Sequence, residues 1–341
     1  MIWIAWRFQR SVVCALALVA LVFVAATMFL GVMQHHDLAS YMSAPCHGQQ
    51  PATPGRGDYC GELAVKLANV NMYATYIRAV GYVIGPLTGG VVGILALASE
   101  VDNRTVRLAW TQSISRTRWF AAKMGVGAAS VAIILVPTAV ALSWWNGAIG
   151  DRDIFKSETY GIAGWDLVAY GLFMFALTVL LGAVIRRTGW TLAVSLLLYL
   201  VVAVTFPSGI RVHLATPTVR WSEPAAPSNR DGNNIETYPY NAWLLVEGVV
   251  PRSTTGIPTS REVNDTYGRV GACVVSYQTT TESEYVKAEL KCYKKFNVEN
   301  VAVYIADGEF WTLQLREGIL YLTAGLISAG GALAIVRRIE P

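Results

Sequence analysis

Charge is what this 341-residue sequence has little of: Asp, Glu, Lys and Arg make up 15% of it, where a soluble domain carries about a quarter. Residues 11–33, 79–98, 124–143, 167–185, 189–206 and 318–336 contain no Asp, Glu, Lys, Arg or His at all. Ion-coupled carriers and pumps need ionisable groups inside the membrane as relays or binding sites. Their absence argues against an intrinsic proton- or sodium-coupled mechanism, so any transport must draw its energy from another polypeptide. Enzyme motifs are missing too: there is no Gly-x-x-x-x-Gly-Lys-Ser/Thr phosphate loop, no His-Glu-x-x-His and no Cys-x-x-Cys. His35, His36 and His47 cluster near Asp37 without regular spacing, and are expected to be solvated, with no metal site. The net charge of +4 is modest and nothing points to nucleic acid.

What is present is apolar length. Hydrophobic residues make up 54% of the chain, and six runs are long enough to span a bilayer. They are 11–33, 77–98, 120–143, 165–185, 189–206 and 315–336. The expected class is therefore a membrane all-α protein of six transmembrane helices with a small external α/β or β domain. Basic residues orient it. With both termini inside, pieces 1–10, 99–123, 186–188 and 337–341 hold 11 Lys and Arg in 43 residues, against two in the 43 residues of 34–76. The expected localisation is a bacterial plasma membrane, with both termini cytoplasmic.

Residues 1–10, with Trp3, Trp6, Arg7 and Arg10, read as an interfacial start rather than a signal peptide, because the apolar run that follows is longer than such a segment needs. Loop 34–76 is irregular up to Cys60, then periodic from Gly61 to Tyr76, as a helix leading into the second span. That span carries Gly81, Gly85, Gly89 and Gly93, a smooth ridge for close helix packing, and Pro86 and Pro137 are expected to kink the second and third spans. Loop 144–164 has balanced charges, and Arg186 and Arg187 mark a tight turn. Arg78, Asp166, Arg316 and Glu317 lie at span ends, where they can snorkel to water or pair with one another. In the external segment 207–314, residues 243–250, 272–278, 288–296 and 301–306 read as strands.

Cysteine usage agrees with this topology. Cys14 reads as a packed apolar residue. Cys46 and Cys60 share one external loop, and Cys273 and Cys292 share the external segment. Four cysteines allow three pairings; local pairing needs no long-range contact, so Cys46–Cys60 and Cys273–Cys292 are expected, each worth about 3 kcal/mol.

Between the second and third spans lies the segment 99–119, the focus of the functional reading. On a helical wheel Val106, Ala109, Trp110 and Ile114 fall on one side, and Glu100, Arg104, Arg107, Thr111 and Ser115 on the other, the pattern of an amphipathic helix at a membrane surface; the spacing fits a solvated interfacial loop with ordinary positive-inside charges as well. Glu100 and Asp102 suit a helix N-terminus, Ser115 can cap the next span, and Arg116, Arg118 and Lys123 hold its start at the headgroups. Glu100, Thr105 to Ser113, then Ser115, Arg116, Arg118, Trp119 and Lys123 together resemble the cytoplasmic coupling region of type-2 ABC export permeases, especially actinobacterial ones. Arg104 departs from the Gly usual there. Asn241 to Leu245, Cys273, Cys292 and Phe310 to Gln314 match further short motifs in order, while Asp307 to Glu309 departs.

The resemblance implies a permease subunit acting as a homodimer with two copies of a separate ABC ATPase, in contact with membrane lipids. This chain would hold no cofactor, and the ATPase would bind ATP and Mg. Glu100, Thr105, Arg107, Trp110, Arg116 and Arg118 would transmit coupling. Apolar and aromatic span residues, including Tyr82, Phe173, Phe175 and Tyr199, favour a lipophilic or amphipathic cargo such as a drug, antibiotic, lipid or peptide. The alternative is a membrane-anchored sensor, receptor or immunity protein that binds a peptide or antibiotic without transport.

Overall fold

A computed structural model describes residues 2–43, 59–98, 115–148, 155, 157–223, 242–276 and 282–338. In chain order the long elements are α1 (Ile2–Ser43), α2 (Tyr59–Gly93), α3 (Arg116–Ala148), α4 (Trp165–Ile185), α5 (Thr188–Thr205), β1 (Thr218–Ser222), β2 (Trp243–Pro251), α6 (Ser260–Val275), α7 (Glu282–Phe296), β3 (Val298–Ile305) and α8 (Phe310–Arg338). They form two compact units, one of Met1–Asp151, Ser157–Leu214 and Leu313–Pro341, the other of Arg152–Lys156 and Ala215–Thr312.

Among the described residues, the first unit's six helices Gln9–Asp37, Met72–Ala98, Arg116–Gly147, Trp165–Ile185, Thr188–Thr205 and Asp307–Arg338 are long and apolar enough to cross a membrane. α2, α3 and α4 are its most enclosed members. α1, α5 and α8 turn rows of Leu, Val, Ile and Phe outward, Phe29, Leu197 and Leu326 among them, a surface that suits lipid rather than water. α1 does not end at 33 as the apolar run suggests. Gln34 is buried on it and accepts a hydrogen bond from Trp145 Nε1 of α3 at 2.8 Å, which ties a further stretch of helix to the bundle. α2 likewise starts well before its apolar run and closes in a π-helical turn over Ile94–Ala98.

The glycine ridge of α2 lies against α4. A Cβ on Gly89 would come within 2.1 Å of the Gly171 carbonyl, and one on Gly93 within 2.8 Å of the Phe175 carbonyl. The absent side chains let the two backbones meet, and dispersion over that contact replaces the hydrophobic drive that lipid does not provide. α4 ends on Arg186 in the left-handed conformation, φ 57°, and its N–H bonds back to Gly182 at 3.1 Å. The chain thereby reverses into α5 within two residues. Thr178 Oγ1 of α4 donates to Ser195 Oγ of α5 at 3.3 Å.

The second unit is an antiparallel sheet in the order β1-β3-β2, with β3 central and almost wholly buried. α6 packs on β2 at Gly248, where φ is 152° and a Cβ would lie 2.4 Å from Val263 Cγ1. Two expectations are corrected here: residues 272–278 and 288–296, read as strands, belong in large part to α6 and α7. The buried positions Val263, Thr266, Val270, Cys273 and Val274 follow a helical period. A capping box starts the helix: Thr259 Oγ1 accepts from the Glu262 N–H at 3.3 Å, and Glu262 Oε2 accepts from the Thr259 N–H at 2.8 Å. On α7, Ala288, Cys292 and Phe296 recur every fourth residue against the same core. The Cys273–Cys292 disulfide is present, and it joins two helices instead of two strands.

Candidate functional site

Of the coupling residues expected from the sequence, Glu100, Thr105, Arg107 and Trp110 lie outside the described residues, as does Cys46. Arg116 and Arg118 are described, at the first turn of α3. Ser115 precedes that turn, and its carbonyl accepts the Trp119 N–H at 3.0 Å. Arg116 donates from Nη1 to the Arg337 carbonyl in the last turn of α8 at 3.1 Å, placing a cation on carbonyls that have no intrahelical partner. Arg118 is exposed. Lys123 is buried with its Nζ 5.7 Å from the Trp119 ring centre. Arg116 is thus engaged with α8, while Arg118 faces outward.

At the opposite end of α8 the first unit buries a group of charges. Arg211, just past α5, donates from Nε to Glu317 Oε1 at 2.7 Å and from Nη2 to Oε2 at 3.4 Å. Its guanidinium also lies 4.1 Å from the centre of the Tyr160 ring. Glu317 is 0% exposed, Asp166 3% and Arg211 6%. Asp166, in the first turn of α4, faces the Glu317 carboxyl, and its own oxygens accept no hydrogen bond among the described residues. Tyr160 sits beside both acids; burial first, and then the two neighbouring carboxylates, push its phenol well above the ordinary range. Gln314, one turn before Glu317, donates to the Tyr160 and Ala163 carbonyls and accepts the Trp165 N–H at 2.9 Å. It thereby satisfies an amide at the start of α4 that has no intrahelical partner. Arg316 donates to the Leu214 carbonyl.

This overturns the snorkelling expectation for Asp166 and Glu317. Both point into protein, and Arg211, Tyr160 and Gln314 complete a cluster that sequence reasoning missed. Its signal was a polar stripe on α8: Gln314, Glu317, Tyr321 and Ser328 share the helical face that is buried.

One turn further along, Tyr170 and Tyr321 follow Asp166 and Glu317 at i+4 and meet with ring centres 5.0 Å apart. Phe206 lies 4.8 Å from Tyr321 and Tyr199 lies 5.8 Å from Tyr170. The Tyr199 hydroxyl donates to the Tyr82 carbonyl at 3.1 Å. The aromatic layer therefore links α2, α4, α5 and α8. Among the residues expected to line a cargo path, Phe173 and Tyr199 belong to this layer, and Tyr82 touches it through its carbonyl. Phe175 does not, being buried against the positions of Gly89, Gly93 and Gly127.

A family model described as "ABC-2 membrane transporter related" matches residues 14–211. The chain belongs to the ABC-2 membrane transporter related family. No curated protein and no solved structure matches it. With six helices among the described residues long and apolar enough to cross a membrane, this member of the family is a multi-pass membrane protein and a membrane transport component. The match runs from α1 to Arg211, across the interval between α2 and α3, and stops before Glu317 and most of the second unit.

Proposed function

We propose that this ABC-2 family member is the permease subunit of an ATP-driven exporter of lipophilic or amphipathic compounds, working as a homodimer with two copies of a separate ATPase. The observation that carries the reading is a coincidence of position. The family match extends across residues 99–119, the basic, tryptophan-bearing segment that resembles a coupling helix. Glu100, Thr105, Arg107, Trp110, Arg116 and Arg118 meet the ATPase. The ATPase binds one arrangement of the helices better than the other, and that difference in affinity is the work available for transport. The distribution of Lys and Arg supports a cytoplasmic side for this segment and both termini, and the Cys273–Cys292 disulfide supports an external side for the unit that carries it, since disulfides persist there. The absence of charge from the middle of every span supports a cargo that needs no polar lining.

Efflux from proteoliposomes tests this. Vesicles carrying the permease and a co-expressed ABC ATPase from the same genome should expel a lipophilic fluorescent dye when ATP is supplied. Reversing charge at Arg107 and Arg118 should abolish that efflux without altering the amount of permease inserted. ATP-dependent efflux at the wild-type rate in the reversed variant would remove the coupling assignment.

A further inference from the structure

Between α2 and α5 the helical unit leaves a crevice. Pro86 of α2 has no N–H to give, so the carbonyl of Tyr82, four residues earlier, lacks its helical partner. The Tyr199 hydroxyl of α5 donates to that carbonyl at 3.1 Å and holds the two helices together at one end. One turn past the proline, Gly90 has no side chain to fill the gap; a Cβ there would meet only Thr178 Oγ1, at 3.9 Å. The space left is about 390 Å³ and open on one side. Val83, Pro86, Leu87 and Gly90 line it from α2, Leu192 and Leu196 from α5, and the buried Met174 from α4. Val83, Leu87, Leu192 and Leu196 are also about half exposed on the outer surface of the unit, so the opening lies on the apolar surface that suits lipid.

The two hydroxyls in the wall are engaged with protein. That of Tyr199 is given to the Tyr82 carbonyl, and Ser195 Oγ accepts from Thr178 Oγ1 at 3.3 Å. The other lining side chains are apolar. An occupant therefore gains by burying carbon and loses by bringing in a polar group that finds no partner. Shape decides between apolar occupants. From Val83 to Val91 the crevice follows eight residues of helix, about 12 Å. Spread over that length, 390 Å³ is a mean cross-section of about 30 Å², whereas a helix about 10 Å across needs about 80 Å². A helix of a second copy is too thick to enter. A single hydrocarbon chain fits.

We propose that this crevice receives the linear alkyl chain of a lipophilic cargo, entering sideways from the bilayer. The chain lies along α2 and α5. Gly90 gives the crevice its depth, and the Met174 thioether adapts to the chain beside it. Tyr199, stacked on Tyr170 at 5.8 Å between ring centres, closes one end. That the chain belongs to a cargo rests on the exporter reading; the preference for a linear chain rests on the crevice alone.

Decanol carrying a photoreactive diazirine in its chain is the probe, added to the full protein in lipid nanodiscs and located by peptide mapping after illumination. Labelling should concentrate at residues 83–91 and 192–199, saturate, and be displaced by plain decanol at concentrations at least tenfold lower than by adamantanemethanol, a cage of similar carbon content. The outward faces of α1 and α8 at Phe29 and Leu326 report contact with bulk lipid, and labelling there should not saturate. Gly90→Leu fills the crevice from α2, and Leu196→Trp covers it from α5. Each should cut crevice labelling at least tenfold and leave that at Phe29 and Leu326 unchanged. Should Gly90→Leu fail to fold, Leu196→Trp, at a position already half exposed, decides. Crevice labelling no stronger than at Phe29 and Leu326 means bulk lipid contact only, and no labelling means that the mouth is covered by a second copy; either result overturns the proposal. So do equal displacement by the two alcohols and unchanged labelling in the variants. ATP-dependent efflux keeps the two readings apart: efflux by wild type without crevice labelling removes this site alone, whereas crevice labelling without efflux removes the exporter reading and the cargo role with it.

Discussion

Removing the Arg211 charge should be one of the most costly single changes in the helical unit. Arg211→Met keeps much of the stem volume and deletes the guanidinium, which leaves the carboxyls of Glu317 and Asp166 face to face in a site almost closed to water. Breaking a buried ion pair by removing one partner costs about 3–5 kcal/mol. The stacking on Tyr160 at 4.1 Å contributes about 1–2 kcal/mol more when desolvated. Part of this total is recovered as the site relaxes, so a loss of about 4 kcal/mol is expected, on the order of a thousandfold in the folding equilibrium. Glu317→Gln should cost less, about 2 kcal/mol, because Asp166 remains beside Arg211 and the amide oxygen can still accept a hydrogen bond. Arg211→Met with Glu317→Gln should cost less than the two single losses added together, because the residues share one interaction. SDS-induced unfolding in mixed micelles, followed by circular dichroism, measures all three. An Arg211→Met variant within about 1 kcal/mol of wild type, or a Glu317→Gln variant that is the worse of the two, would refute the pairing argument.

Further outcomes follow from other contacts. Gly89→Ala should destabilise by about 2 kcal/mol or more through the clash with the Gly171 carbonyl, whereas Gly125→Ala, with nothing within 4 Å of its Cβ position, should be near neutral in the same unfolding assay. Replacing Cys273 and Cys292 with Ser should cost about 3 kcal/mol and make α6 and α7 the first segments cut in limited proteolysis. Glu262 is held below the ordinary carboxylate range by the bonds from the Thr259 amide and hydroxyl. Its capping contribution is therefore complete above the unfolded value of about pH 4.3 and is lost as pH falls through the lower folded value. Amide exchange at the start of α6 should accelerate in that acid window, and Glu262→Gln should abolish the pH dependence; identical acid profiles for the two proteins would contradict the capping role.

Much of the helical architecture could be read directly, because a bilayer leaves few options for a run of twenty apolar residues. The α4 run, bounded by Trp165 at one end and Arg186–Arg187 at the other, stands where its helix does. The misread strands have a local cause. The 272–278 window holds Val274, Val275 and Tyr277 and the 288–296 window Tyr293 and Phe296, and only a longer frame that includes Val263, Thr266 and the Thr259–Glu262 cap exposes the helical period. The buried charges were hidden for a different reason. Asp166 and Glu317 lie at the edges of apolar runs, where snorkelling is the usual fate. The partner that holds Glu317 inside, Arg211, is 106 residues away in the chain, so only tertiary packing brings the pair together. The coupling residues between 99 and 114 rest on motif and charge pattern.

The central claim is that this family member is driven by an ATPase through the segment between α2 and α3. The most direct measurement is the ATPase activity of the permease co-purified with a co-expressed ABC ATPase from the same genome, in lipid, for wild type and for Arg107→Glu with Arg118→Glu. Because Arg118 is exposed at the start of α3, reversal there should leave the fold intact. The account predicts a stable wild-type complex that hydrolyses ATP, and a variant that folds normally but loses association or at least tenfold of the stimulated rate. A correctly folded wild-type permease that recruits no ATPase, or a variant that hydrolyses ATP as the wild type does, would contradict it.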